Sequence, residues 1–321
     1  MAKFLITGIA GFIGSAIARG LLHQGASVRG IDNLSTGKME NIEPILNEVE
    51  FRQADIVNLE DVREACKDVE YVFHEAAIPS VPKSVKDPIG GNLANVDGTL
   101  NLLVAAREAG VRRVIFAASS AAYGNTATLP KREDMLPSPI SPYAVAKVAG
   151  EMYLHSFYKV YGLETVSLRY FNVFGPRQDP NSQYSGVLAI FIRKMLQGET
   201  PTIFGDGETS RDFTYIDNAV QANLKAAKAA ASEVAGRVFN VATGRRFTLN
   251  QAYAELKKIT GYAGHVNYEP EREGDIKHSL ADISLARKAF GYEPSVGFTE
   301  GLERTVQWYR EQLASPAAMT T

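Results

Sequence analysis

Tyr143 and Lys147 stand four residues apart in the run Ser141-Pro142-Tyr143-Ala144-Val145-Ala146-Lys147. Serine followed by proline predicts a helix start, with Ser141 as the N-cap and Pro142 in the first turn. The phenol and the ammonium then share one helix face. A tyrosine with an ordinary pKa of ~10 is a poor base at neutral pH, and a neighbouring cation favours its phenolate. Upstream, Ser119 closes an apolar run, where its hydroxyl would share a proton with a substrate oxygen. A base, a cation and a hydroxyl of this kind remove a proton from an alcohol. The Tyr–Lys spacing arises by chance in many amphipathic helices, so it needs support from elsewhere in the chain.

That support begins near the N-terminus. Gly8-Ile9-Ala10-Gly11-Phe12-Ile13-Gly14 follows a short apolar run and opens a helical pattern. Glycines there allow a tight turn and let the backbone approach a pyrophosphate, while the helix N-terminus favours anions. Asp32 ends the next apolar run, about 20 residues on, where an acid holds the ribose hydroxyls of a dinucleotide. Its carboxylate would repel a 2′-phosphate, so NAD is expected rather than NADP. The positive nicotinamide ring would add to Lys147 in favouring the Tyr143 phenolate.

The elements that must position these groups follow a regular rhythm. Lys3–Gly8, Ser27–Asp32, Val49–Asp55, Tyr71–Ala77, Arg113–Ser119 and Thr165–Phe171 read as strands, rich in Val, Ile, Phe and Tyr. Helical patterns lie between them at Phe12–His23, Leu59–Lys67, Asn95–Glu108 and Tyr143–Tyr161. The alternation predicts an α/β protein with a Rossmann-type doubly wound parallel sheet, whose ligands bind beyond the carboxyl ends of the strands. After Asn172 the rhythm breaks, with helices expected at Val187–Gln197 and Asp217–Ala231 and a returning strand at Arg237–Ala242. The expected organisation is an NAD-binding part over residues 1–175, completed by about 217–245. A smaller C-terminal α/β substrate lobe would take 176–216 and 246–313, and 314–321 reads as a disordered tail.

Composition excludes several other classes. The 321 residues are 45% hydrophobic and 22% charged, which is ordinary globular usage. With 34 Lys+Arg against 36 Asp+Glu and no basic block, neither nucleic acid nor an anionic membrane is an expected partner. Cys66 is alone, so no internal disulfide is possible, and the histidines form no pair at ligand spacing, so no metal is expected. Phe4–Leu22 is apolar but broken by Gly8, Gly11, Gly14 and Arg19. That pattern suits neither a span nor a signal peptide, and a cytoplasmic location is expected.

Taken together, the glycine turn and the Ser119–Tyr143–Lys147 set resemble the extended short-chain dehydrogenase/reductases. More narrowly, the chain resembles nucleotide-sugar epimerases of the UDP-glucose/UDP-N-acetylglucosamine 4-epimerase group, from Lys3 to about residue 310. The segments Leu168–Gly175, Gly205–Phe213 and Arg272–Asp275 carry that narrower likeness. The resemblance implies that Phe12 and Ile13 lie along the pyrophosphate, and that Asp32, Asn33, Ser35, Thr36 and Gly37 surround the adenosine ribose. Asp55 and Ile56 would flank the adenine, Ala76, Ala77, Pro79 and Asn95 would line the path to the nicotinamide, and Phe171 would close that pocket. On the substrate side it implies Ser80, Ser120 and Asn172, with Val187 and Thr202, Ile203 and Phe204 along the uridine. Arg211 and Arg272 would hold the diphosphate, a task suited to guanidinium forks, and Asp275 the uridine ribose.

Two features narrow the substrate. Ser279 matches a position where glucose-restricted relatives carry a bulky Tyr, and Gly186 is small on the same pocket, so room is expected for a C2 acetamido group. The 4,6-dehydratases carry a Thr-Asp-Glu run where this chain has Ser119-Ser120-Ala121, and elimination without those acids is poorly served. The expected reaction is therefore C4 epimerisation through a transient 4-keto sugar, on UDP-GlcNAc/UDP-GalNAc and also UDP-Glc/UDP-Gal. Its rivals are a dehydratase or another sugar-nucleotide oxidoreductase, and a non-catalytic NAD sensor. The resemblance also implies a homodimer through a four-helix bundle of Asn95–Glu108 and Tyr143–Tyr161, where Leu103, Val104, Met152 and Phe157 would serve either that contact or the subunit core.

Overall fold

The computed structural model describes residues 3–180, 186–271 and 276–314. Seven strands form its main sheet: β1 Lys3–Thr7, β2 Ser27–Asp32, β3 Val49–Gln53, β4 Tyr71–His74, β5 Arg113–Ser119, β6 Glu164–Tyr170 and β7 Arg237–Val241. Their order is β7-β6-β5-β4-β1-β2-β3, and every neighbouring pair is parallel. The direction of growth reverses between β1 and β4, which makes the crevice beyond their carboxyl ends the place for a ligand. Thr7 pairs with both Ile31 and His74, so three strand ends open level onto that crevice.

Both sheet faces are covered, which is why the strands read as unbroken apolar runs. On one face α1 (Phe12–His23) packs beside the helix Ile216–Lys228, over Ile6, Phe73, Ile115 and Leu168. The opposite face carries α2 (Leu59–Cys66), α3 (Gly98–Glu108) and α4 (Pro142–Tyr161), over Leu5, Val72, Val114 and Phe116. Each such side chain, fully buried, contributes roughly 1.5–3 kcal/mol.

Helix α4 starts as its sequence dictates. Ser141 Oγ accepts the Ala144 N–H at 3.2 Å, Pro142 follows, and Gly162 ends the helix in the left-handed region at φ 74°. A buried ion pair then locks it to β6: Arg169 Nε and Nη2 donate to Glu151 Oε1 and Oε2 at 2.8 and 2.7 Å. The helix expected over Asn95–Glu108 differs at its start, where one π turn (Leu93–Asp97) precedes α3. The wider turn frees the Asn95 side chain to pair with Ile78, accepting its N–H at 2.8 Å.

Beyond β6 a third core forms around α5 (Val187–Leu196), α6 (the Ile216–Lys228 helix named above), α7 (Leu249–Thr260) and α8 (Phe298–Ala314). The rings of Phe174, Phe213, Phe247 and Phe298 stack or meet edge to face at its centre. Three short pairings brace it: Val173–Phe174 with Thr214–Tyr215, Ser210–Arg211 with Phe247–Thr248, and Thr202–Phe204 with Asn267–Glu269. Among the described residues no helix is long and apolar enough to cross a membrane.

Candidate active site

A continuous cleft of about 1520 Å³ runs along the carboxyl edge of the sheet. That exceeds the ~300–1,000 Å³ of an ordinary small-molecule pocket and suits two ligands end to end. Its floor is the glycine turn. Gly8 sits at φ +71°, and a Cβ added there would lie 2.7 Å from Ala76 N. A Cβ on Gly14 would lie 2.2 Å from Gly8 O, so α1 can approach β1 only without a side chain. The N-cap is Gly11 with no side-chain cap, and the first turn of α1 contains no acid, which leaves its N–H groups and dipole to an anion.

Asp32 lies at the end of β2, 8% exposed, with Oδ2 accepting Ala10 N–H and Oδ1 accepting Leu34 N–H, at 2.9 and 2.8 Å. Burial pushes its carboxyl up, and these two bonds hold it down. A Cβ on Gly37 would come within 2.7 Å of Asp32 Oδ2, so the loop can close over the acid only with glycine there. Asn33 donates to Asp55 Oδ2 at 2.9 Å and joins the loops after β2 and β3. The cleft wall carries Gly8, Gly11, Phe12, Ile13, Gly14, Asp32, Asn33 and Ser35–Gly37, then Asp55, Ile56, Ala76, Ala77 and Pro79. This lining fits a dinucleotide, with glycines at the phosphates and an acid about one β-α-β crossover away.

Further along the same wall stand Ser119, Tyr143 and Lys147. The Ser119 hydroxyl lies near enough to the Tyr143 phenol to favour its ionisation. Lys147 is buried beneath, its Nζ 6.0 Å from the Tyr143 ring centre and donating to Ala117 O at 2.7 Å. Burial brings Lys147 down to about 8, against the pull of Glu75 and Glu151. Tyr143 departs from expectation. Burial pushes the phenol up, the Ser119 hydroxyl lowers it, and the Glu75 carboxyl raises it again. In the protein alone burial wins, so the phenolate needs positive charge brought to the site.

Residues 4–242 match the NAD dependent epimerase/dehydratase family. The chain belongs to that family. The UDP-glucose 4-epimerase of Mycolicibacterium smegmatis is 39% identical over 315 residues, covering 97% of this chain and 99% of the relative. Two solved structures superpose closely, each 42% identical and covering 97% of this chain and 99% of the other. One is the Thermotoga maritima UDP-glucose 4-epimerase with UDP-glucose, at a TM-score of 0.92. The other is the Methanobrevibacter ruminantium UDP-N-acetylglucosamine 4-epimerase with UDP-N-acetylmuramic acid, at 0.91. The cofactor expected from the glycine turn and Asp32, NAD, is the cofactor of the family.

Not every expected residue of this epimerase/dehydratase chain reaches the cleft. Ser80, Asn172 and Gly186 line it; Ser120, Val187, Thr202, Ile203, Phe204, Arg211 and Ser279 do not. Asn95 is 2% exposed and braces the Ile78 loop instead of forming the wall. Phe171 is fully buried, its ring 6.1 Å from that of Tyr123, and its neighbours Tyr170 and Asn172 line the cleft in its place. Thr202–Phe204 is a strand paired with Asn267–Glu269. Arg211 Nη1 donates to the carbonyls of Ser210 and Lys277 at 3.0 and 3.2 Å. Arg272 and Asp275 lie outside the described residues. Ser279, 9% exposed, accepts from Asn172 Nδ2 at 3.2 Å and so touches the cleft through that side chain.

The structure also brings in residues that sequence reasoning missed. Glu75, Tyr170, Arg177 and Arg193 all line the cleft. Asp212, fully buried, accepts from the backbones of Thr243, Gly244 and Ala281 and ties the loops behind Asn172 and Ser279 together. Burial pushes its carboxyl up to about 6. An acid directly after the apolar run Tyr71–His74 was a visible signal for Glu75, because charges at a buried strand's carboxyl end face the ligand edge.

Proposed function

We propose that the chain epimerises UDP-hexoses at C4, taking UDP-GlcNAc/UDP-GalNAc as well as UDP-Glc/UDP-Gal. The observation that carries this reading is the Ser119–Tyr143–Lys147 set on the wall of one cleft whose other end is the glycine turn. Tyr143 would take the C4 hydroxyl proton, with Ser119 bridging, and return it to the epimeric alcohol. Lys147, anchored on Ala117 O, would hold a positive charge under the phenol. NAD, when bound by the glycine turn and Asp32, supplies a hydride acceptor and donor at C4. Ser119-Ser120-Ala121 offers no carboxylate for elimination, which favours epimerisation over dehydration. In this reading residues 1–175 with 217–245 bind the cofactor, and 176–216 with 246–313 bind the sugar nucleotide.

The acetamido group is accommodated by the smallness of Ser279 against Asn172 and of Gly186 on the wall. Arg211 would reach the diphosphate from the Ser210–Lys277 corner. A second copy of the chain suits the exposed apolar stripe of α4, where Val145, Met152, Tyr153 and Val160 face outward beside Val85 and Ile89. Of the contacts expected there, Leu103 and Phe157 are buried within the subunit. A cytoplasmic location accords with one buried thiol and no cystine. Replacing Tyr143 with Phe tests the assignment: turnover of UDP-hexoses should vanish while NAD stays bound, and near-normal rates would overturn it.

A further inference from the structure

Glu75 is an acid on the wall of the cleft that the proposed chemistry does not use. Its N–H donates to Thr7 O at 3.2 Å, which fixes the residue beside the glycine turn. Oε1 accepts from the Tyr170 hydroxyl at 2.9 Å, and that hydroxyl accepts from Asn223 Nδ2 at 2.7 Å. Asn223 is itself anchored on α6, donating to Ala219 O at 2.8 Å. The carboxyl is thus held from β6 and α6, while α4 turns Tyr143 and Lys147 into the same cleft. From β4, His74 is buried between Thr7 and Thr99, and burial holds it near 3, so it stays neutral. Glu151 also pulls on Lys147 but is taken up by Arg169. The sheet register puts Glu75 beside the Tyr143–Lys147 pair: His74 pairs with Phe116, so Glu75 follows next to Ala117, whose carbonyl takes the Lys147 ammonium. Ser119 in turn pairs with Tyr170, the residue that holds the Glu75 carboxyl. From that place its charge bears on both Tyr143 and Lys147.

We propose that Glu75 is a positioning residue that sets, through its charge, the pH range over which Tyr143 serves as the base. The proposal rests on reading Tyr143 as that base. Burial pushes the Glu75 carboxyl up to about 7, with the Tyr170 hydrogen bond and Lys147 acting against it. It is therefore mostly neutral in mildly acidic solution and ionised in mildly alkaline solution. Neutral, it leaves Tyr143 and Lys147 to act on each other. Ionised, it repels the phenolate and favours the ammonium, moving both ionisations to higher pH. Glu75 exchanges only its own proton with solvent, and no bond to the sugar is assigned to it.

Glu75→Gln keeps the shape and removes the charge. In the NAD-loaded enzyme, carbon-13 NMR of ring-labelled tyrosine follows the Tyr143 ionisation, with the signal assigned by Tyr143→Phe. The pH profile of UDP-hexose turnover is recorded alongside. Glu75→Gln should lower the Tyr143 midpoint by about one pH unit. The two pH profiles should coincide on the acid side and part on the alkaline side. Tyr170→Phe removes a bond that favours the ionised carboxylate, so it should keep Glu75 neutral to higher pH and lower the Tyr143 midpoint in the same direction. An unmoved or raised Tyr143 midpoint in Glu75→Gln overturns the proposal, whatever the turnover. A lowered midpoint in an enzyme that epimerises no UDP-hexose upholds the coupling and removes the functional reading instead.

Discussion

Gly14→Ala is the smallest change that should separate cofactor binding from folding. The added Cβ would lie 2.2 Å from Gly8 O and 2.9 Å from Gly8 C, both backbone atoms that no rotamer can move. Ordinary contact needs about 1 Å more, so the start of α1 must retreat from the turn by that much, at a cost of roughly 1–3 kcal/mol. The N–H groups meant for the pyrophosphate sit on the element that moves. If about 2–3 kcal/mol of that cost falls on binding, NAD affinity drops roughly 30- to 150-fold. Calorimetric titration of NAD into stripped protein measures it, with Gly25→Ala as the control. Gly25, unlike Gly14, has a positive φ, at +70°, and it has no neighbour within 4 Å. The control should lose about 1–2 kcal/mol of stability to backbone strain and keep its NAD affinity. A Gly14→Ala protein binding NAD within threefold of wild type would refute the reasoning.

Two further substitutions test the frame around the site. Glu151→Gln leaves Arg169 buried without its counter-charge and should cost about 3–5 kcal/mol in urea unfolding, whereas a loss under 1 kcal/mol would show that the pair does not hold α4 to β6. Ser279→Tyr places a ring against Asn172 and Asp212, which now meet the serine hydroxyl at 3.2 and 3.4 Å. It should abolish turnover of UDP-GlcNAc and spare UDP-Glc, and retention of both would sink the acetamido argument.

The main sheet was legible because its strands are buried on both faces. β2 and β5 begin and end where their apolar runs do. Overshoot occurred where the chain leaves the ladder but stays apolar. The apolar run Tyr71–Ala77 suits one strand, yet pairing stops at His74, where the loop at Ile78 is held by Asn95. The short pairings at Ser210–Arg211 and Phe247–Thr248 have no period to detect, since two residues cannot show alternation. That the glycine turn and Asp32 share one cleft is readable for a local reason: turn, helix start and acid lie close together in sequence. The part proposed for the sugar is assembled from loops far apart in the chain, such as Asn172 with Ser279. Tyr170 and Glu75 meet across 95 residues, a contact that no local spacing announces.

Inversion at C4 with a cofactor that never leaves would set this protein apart from a dehydratase or a net oxidoreductase. The most direct measurement is an NMR time course of the purified protein with UDP-GlcNAc and no added NAD. The galacto epimer should grow to an equilibrium mixture, with no net NADH. A product lacking its C6 hydroxyl, or no epimer from either UDP-GlcNAc or UDP-Glc, would contradict it.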